Sequence, residues 1–312
     1  MTWFPTGGAR FRTTIILAVF IVLDWRLRST SSTLCSSSTS FNTTLRTDNV
    51  LAEQHAITNI ECPPHRTLRI DATTRDLPNF INATLHALDF ASKEVTHDDR
   101  PIVHLAANYD NYATIPGGFW TEFGVFQGST LLMATNELLS KSKTFNNGPI
   151  AGFDSFEGLP EKWRKDFGEG AFGLNNDQYT TLRKKLPDEV KLYKGWFQET
   201  IPAFKAEHDG VPAALIHHDG DLFLSTTITL QLLNDRILPG THMIFDELVG
   251  YPEYEKHEIF ALWMWMTEHE ATMCAMGHMG PIGPTDEAWV SPREDQHWFK
   301  QSAWLQVLDL KR

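Results

Sequence analysis

Asp219, Asp246 and Glu247 are the residues whose types and placement could do the most chemistry in this chain. Each follows an apolar run, residues 213–218 and 242–245, that reads as a strand. Carboxylates converging at one sheet edge repel one another unless a cation joins them. An all-oxygen ligand set suits Mg²⁺, with Mn²⁺ or Ca²⁺ as substitutes. Mg²⁺ keeps several waters, which leaves positions for substrate oxygens. His217 and His218 precede Asp219 directly. Adjacent strand residues point to opposite faces, so at most one of the two histidines faces such a site. His218 is the candidate acid/base of the pair, beside Asp219 itself. His217 reads as a packed core histidine, and a zinc site is a poor fit.

Three further motifs stand at strand-to-helix junctions. Glu122 ends an apolar run, Gly124 and Gly128 follow, and Ser129 opens a helix-like segment. Glycine lets a ligand approach the backbone, and a helix N-terminus offers free N–H groups to an anion. The spacing is not the G-x-G-x-x-G of dinucleotide sites. Asp154, with Ser155 after it, ends a second run roughly 30 residues later. A carboxylate there can accept both hydroxyls of a ribose, although an Asp capping a helix is an equally good account. Trp196 and Phe197 follow a third run and could pack on an adenine face. For either aromatic alone, a place in the core is the better reading.

These motifs need a scaffold that sets them along one edge. Apolar strand candidates fall at residues 119–125, 149–153, 191–195, 213–218, 242–245, 271–276 and 304–308. Helix-like spacing falls between them, at 129–140, 176–186, 200–207, 225–236 and 254–268. That alternation predicts an α/β fold, a doubly wound, mostly parallel, seven-stranded sheet with helices on both faces. Ligands in such sheets bind at the carboxyl ends of the strands. Residues 48–115, helix-like around 77–91, are expected to form a helical extension before a catalytic domain at 116–312.

The formal net charge is −12. Residues 1–47 hold five arginines against one aspartate, a net of 5 − 1 = +4, so the remainder carries −12 − 4 = −16. An acidic body of this kind argues against a nucleic-acid partner. The three cysteines, Cys35, Cys62 and Cys274, lack zinc-type spacing, and disulfide dependence is not expected. Cys274, in an apolar segment, reads as a buried thiol. Residues 13–23 are the most apolar run, shorter than the ~20 residues that span a bilayer. Arginines flank it and a Ser/Thr tract follows. Residues 1–47 therefore read as a targeting or anchoring segment plus stem, for the secretory route or an organelle.

The ordered motifs EFGVFQGST, GFDSFEGLPEKW, KGWFQETIPAF, ALIHHDGDLFLSTT and GTHMIFDELVGYPEYEKHE resemble the macrocin O-methyltransferase family, over about residues 118–260. These are class I S-adenosylmethionine-dependent enzymes with a Rossmann-like sheet. The resemblance implies that Glu122, Gly124 and Gly128 line the methionine end of the cofactor and that Ser129 also belongs to the cofactor site. It implies that Asp154 holds the ribose and that Ser155 and Trp196 sit near the adenine. It implies Mg²⁺ on Asp219, Asp246 and Glu247, with Asp219 also a candidate general base. The acceptor it implies is a hydroxyl of a small molecule such as a sugar. The sequence departs from the family at His218 and Leu248, positions that bear on substrate contacts.

Two rivals belong to other classes. A metal-dependent glycosyltransferase would use the anchor, the stem and Asp219-Gly220-Asp221, but it leaves the glycine loop idle. A non-catalytic cofactor-binding member would not need Asp219, Asp246 and Glu247 together. Candidate lids are residues 162–176 and 276–296, and the N-terminal helical region could mediate a homo-oligomer.

Overall fold

The computed structural model describes residues 61–71, 73–92, 102–109, 115–140, 148–278 and 301–312. The expected targeting segment at 1–47 and most of the second candidate lid lie outside these residues. Residues 57–312 form one compact unit. Among the described residues, no helix is long and apolar enough to cross a membrane.

The strands are β1 (Thr67–Arg69), β2 (Phe119–Phe123), β3 (Ile150–Asp154), β4 (Val190–Lys194), β5 (Ala213–His218), β6 (His242–Phe245), β7 (Thr272–His278) and β8 (Ala303–Asp309). They form one sheet of order β1-β7-β8-β6-β5-β2-β3-β4. β2 pairs in parallel with β3 and β5, as do β3 with β4 and β5 with β6. β8 lies antiparallel between β6 and β7. The sheet is therefore α/β and mostly parallel as expected, with eight strands rather than seven. The addition is β1, three residues antiparallel to β7, from the segment expected to form a helical extension.

The helices are α1 (Leu77–Ser92), α2 (Ile102–Ala107), α3 (Ser129–Ser140), α4 (Asn176–Lys185), α5 (Phe197–Glu207), α6 (Phe223–Leu233) and α7 (Glu258–Glu268). They cover both faces. Leu88 of α1, Ile201 of α5, Leu230 of α6 and Trp265 of α7 share one buried cluster. Ala106 of α2, Leu131 of α3 and Leu182 of α4 share the other. β5 is buried at every position, which explains its continuous apolar run, Ala-Ala-Leu-Ile, ahead of the two histidines. α4 begins with a reciprocal capping box in which Asn175 accepts from the Gln178 backbone and Gln178 accepts from the Asn175 backbone.

The cysteines correct the sequence reading. Cys62 and Cys274 form a disulfide, with Cα atoms 5.6 Å apart across 212 residues. Cys274 stands on β7 opposite Thr67 of β1. Cys274 is buried as expected, but as half of a cross-link that ties the N-terminal edge strand to the sheet.

The order in which strands are added across the sheet reverses between β2 and β5. β3 and β4 lie to one side of β2, while β6 lies beyond β5. The loops after these five strands face one another over that junction, where open α/β sheets bind ligands.

Candidate active site

The loop after β2 is built by Gly124 and Asp154. Gly124 has φ +100°, and a Cβ there would lie 1.7 Å from the backbone oxygen of Asp219. Only glycine permits that approach, which seats the β2 loop directly against the β5 loop. Asp154 then clamps the loop from β3. Its Oδ2 accepts the backbone N–H groups of Val125 (2.9 Å) and Phe126 (2.8 Å). Its Oδ1 accepts that of Phe156 (2.6 Å). Burial pushes the Asp154 carboxyl up, against these three hydrogen bonds, which favour its charged form. The first use of this carboxylate is thus to hold the protein's own loop, with one further lone pair, on Oδ1, to offer.

A cavity of about 590 Å³ opens over these loops. Gly124, Asp154, Ser155, Trp196, Asp219 and Glu247 line it. Phe126, Trp163, Phe172 and Phe197 supply aromatic walls. Phe126, Phe172 and Asp221 hold positive φ values of 45°, 65° and 61°, so several wall residues sit in a backbone region that side chains rarely adopt. The first candidate lid folds over the cavity through Trp163 and Phe172.

Glu122, Gly128 and Ser129 are not among the lining residues. Ser129 begins α3, and Gly128 makes the turn into it at φ +73°. Glu122 lies beneath the floor, 1 % exposed, with Oε2 3.1 Å from Nδ1 of His217. β2 buries this side chain in the sheet, and its partner there is a histidine.

Asp219 and Glu247 line the opposite wall, and together with Asp246, which is not among the lining residues, each offers an oxygen within 4.8 Å of the others. Burial, followed by its carboxylate neighbours, holds the Asp219 carboxyl well above its usual range, and Glu247 is raised likewise. Glu247 is 7 % exposed, and its Oε2 has no hydrogen-bond partner. A buried, unsatisfied carboxylate oxygen in a convergent acidic trio is the environment that a divalent cation relieves. These residues fit Mg²⁺.

More carboxylates surround the trio than the sequence suggested. Glu258 of α7 is fully buried, and its Oε2 accepts the backbone N–H of Glu247 at 3.1 Å. Asp221 lines the cavity, is 6 % exposed, and is pushed up to about 8 by burial. Its signal in the sequence was the second acid of Asp219-Gly220-Asp221. Two cations face this charge. Arg164 is packed 3.7 Å over the Trp163 ring and donates to Gln301 Oε1 at 3.1 Å. His217 lies between Glu122 and Asp246, with Nε2 3.7 Å from Asp246 Oδ1. Burial alone would lower the His217 pKa, but Asp246 and Glu122 outweigh it and hold the imidazole up at about 9.

The two histidines thus exchange their expected places. His217 faces the carboxylates. His218, proposed from sequence as a base, stacks on Phe245 at 4.6 Å, and its Nδ1 meets the Thr229 hydroxyl at 2.9 Å. Burial brings it down to about 3. It is walled off in the core and absent from the cavity lining, a placement that does not favour it as the base.

The family described as macrocin-O-methyltransferase (TylF) matches residues 103–258. An 8-demethyl-8-(2,3-dimethoxy-alpha-L-rhamnosyl)-tetracenomycin-C 4'-O-methyltransferase of Streptomyces olivaceus is 30% identical over 149 residues, 43% of this chain and 53% of its own length. A demethyldecarbamoylnovobiocin O-methyltransferase of Streptomyces niveus is 25% identical over 158 residues, 44% and 55% respectively. The chain thus spans about half the length of the curated relatives it matches. The solved calicheamicin methyltransferase CalS11 superposes with a TM-score of 0.48 at 18% identity, over 88% of this chain and 99% of that one. With residues 103–258, half of the 312, matched end to end across the glycine loop, the Asp154 clamp and the acidic trio, the protein belongs to the macrocin O-methyltransferase family.

Proposed function

We propose that the chain transfers a methyl group from S-adenosylmethionine to a hydroxyl of a small molecule, with Mg²⁺ bound at the acidic trio. The observation that carries this is one cavity bounded by the Asp154-clamped glycine loop on one side and by Asp219 and Glu247 on the other. The names of the two relatives, both O-methyltransferases and one of them naming a rhamnosyl group, support a hydroxyl on a glycosylated or otherwise decorated small molecule as the acceptor.

When bound, S-adenosylmethionine supplies the methyl group on a good leaving group, and Mg²⁺ orients the acceptor oxygen and lowers its pKa. The protein's own work is mainly positioning. Asp154 fixes the glycine loop, and Ser155, Trp196 and Phe197 form the wall that suits an adenosyl group. Asp219, Asp246 and Glu247 hold the cation. Asp221 lines the same cavity outside that trio, so its carboxylate is free of the cation and takes the proton of the acceptor hydroxyl. Trp163 and Phe172 close the lid side against water.

The Cys62–Cys274 disulfide supports residence in an oxidising compartment, since such cross-links are rare where thiols are kept reduced. That agrees with a targeting role for residues 1–47.

The test is calorimetric binding of S-adenosylhomocysteine to the full chain, followed by an acceptor screen with and without chelator. Micromolar binding and cation-dependent methylation support the reading. Binding of a nucleotide sugar in place of S-adenosylhomocysteine would overturn it.

A further inference from the structure

We propose that His217 is a positioning residue that orients Asp246 for the cation and is itself held by Glu122. The glycine-loop strand and the cation site would then be built on one buried link, Glu122–His217–Asp246. This deepens the methyl-transfer reading and rests on it.

The three residues lie across three adjacent strands. Glu122 on β2 is in register with His217 on β5. His217 is in register with Ile244 on β6, and Asp246 follows β6 directly. Glu122 Oε2 stands 3.1 Å from Nδ1, and Asp246 Oδ1 stands 3.7 Å from Nε2. The second contact is an ion pair longer than a hydrogen bond. The imidazole is 0 % exposed and Glu122 1 %, whereas Asp246 is 34 % exposed. The link therefore runs from the sealed interior to a partly exposed member of the trio.

The arrangement at Asp246 gives the link its effect. Ser302 Oγ donates to Asp246 Oδ1 at 2.9 Å, and His217 faces the same oxygen. Oδ1 is thus engaged from two sides, which restrains the carboxylate that belongs to the trio. The Asp246 backbone N–H donates to the His218 carbonyl at 2.9 Å, which fixes the loop as well as the side chain. His218, packed in the core, meets the Thr229 hydroxyl through Nδ1. His217 faces two carboxylates. One of them belongs to the proposed cation trio and the other has no access to the cavity. Glu122 thereby acquires a role that does not require it to touch the cofactor: it prevents the ring from rotating away from Asp246.

Partners of this kind behind a ligating group commonly set metal affinity by about 10–100-fold. The experiment measures Mn²⁺ and S-adenosylhomocysteine binding by calorimetry on the full chain, for wild type, His217→Gln and Glu122→Gln, with near-ultraviolet circular dichroism as the check on folding. His217→Gln, which can donate to only one carboxylate at a time, is expected to weaken Mn²⁺ binding by about 10–100-fold while S-adenosylhomocysteine affinity stays within about threefold. Glu122→Gln retains an acceptor for Nδ1, and its Mn²⁺ loss should be smaller than that of His217→Gln. A merely structural role would lower both affinities together. If His217→Gln does not fold, Glu122→Gln/His217→Gln removes the stranded buried carboxylate and carries the same comparison. Folded His217→Gln with wild-type Mn²⁺ affinity overturns the inference, as does wild type that binds S-adenosylhomocysteine but no Mn²⁺. Wild type that binds neither probe sinks the methyl-transfer reading itself.

Discussion

Asp154 Oδ2 lies 2.8 Å from the backbone nitrogen of Phe126, so a carboxylate on one strand fixes the shape of the glycine loop on the next. With Val125 N–H also on Oδ2 and Phe126 at φ 45°, the clamp offsets the cost of an unfavourable backbone conformation. Hydrogen bonds to a charged group contribute about 1.5–3 kcal/mol each. Asp154→Ala should therefore weaken S-adenosylhomocysteine binding at least tenfold and lower the melting temperature as well. Asp154→Asn keeps one acceptor oxygen and should fall between. Calorimetry paired with thermal denaturation separates the two effects. Full loss of binding with unchanged stability would mean that the carboxylate serves the ligand alone.

The Cys62–Cys274 cross-link closes a loop of 212 residues. Chain entropy assigns such a loop about 5 kcal/mol at most. Reduction should lower the melting temperature by several degrees, and Cys62→Ser/Cys274→Ser should match the reduced wild type under all conditions. Peptide mapping without reductant checks the pairing directly. Free thiols at both positions in protein from an oxidising host would refute it.

Most of the scaffold was readable because β2, β3, β5 and β6 are mainly apolar runs, and β4 an alternating one, each closed by a polar or glycine-rich turn. β5 and β6 fall at the bounds their residues predict. The misreadings have physical causes. β1 is three residues long, too short to show a period, and its partner β7 lies some 200 residues away in sequence. The same distance hid the disulfide, because pairing across a fold leaves no local spacing. His217 and His218 could not be told apart, since alternation assigns them opposite faces and both faces of β5 are buried. Asp221 was visible as a residue but not as a wall of the cavity, which depends on its left-handed backbone.

His242 gives the fold a pH dependence separate from the site. It is fully buried, its Nδ1 accepts from Trp304 Nε1 at 3.0 Å, and burial brings its pKa down to about 3. In the unfolded chain it titrates near about 6.5. Between those values the unfolded state binds the proton and the folded state does not. Stability is therefore present above about pH 6.5 and falls with acid, by up to about 1.4 kcal/mol per pH unit from this group. His242→Gln, which keeps an acceptor for Trp304, should lose less stability than wild type between pH 6.5 and 4. Denaturant titrations at the two pH values measure the difference. Equal slopes would show that His242 does not contribute.

Asp221 provides the sharpest division between binding and chemistry. It lines the cavity, it stands outside the cation trio, and its raised carboxyl leaves it basic enough to accept a hydroxyl proton near neutrality. Asp219 in the same loop belongs to the proposed cation trio, and His218 is sealed between rings. Asp221→Asn preserves shape and one acceptor oxygen but cannot take the proton. Turnover should fall by about 10²–10⁴. S-adenosylhomocysteine and Mn²⁺ affinities should stay near wild type, because neither depends on that proton. Glu247→Gln should do the reverse and weaken Mn²⁺ binding first, with part of the turnover recovered at high cation concentration. Measuring kcat and both binding constants for the two variants distinguishes the roles. An Asp221→Asn protein that turns over normally would return the base assignment to Asp219.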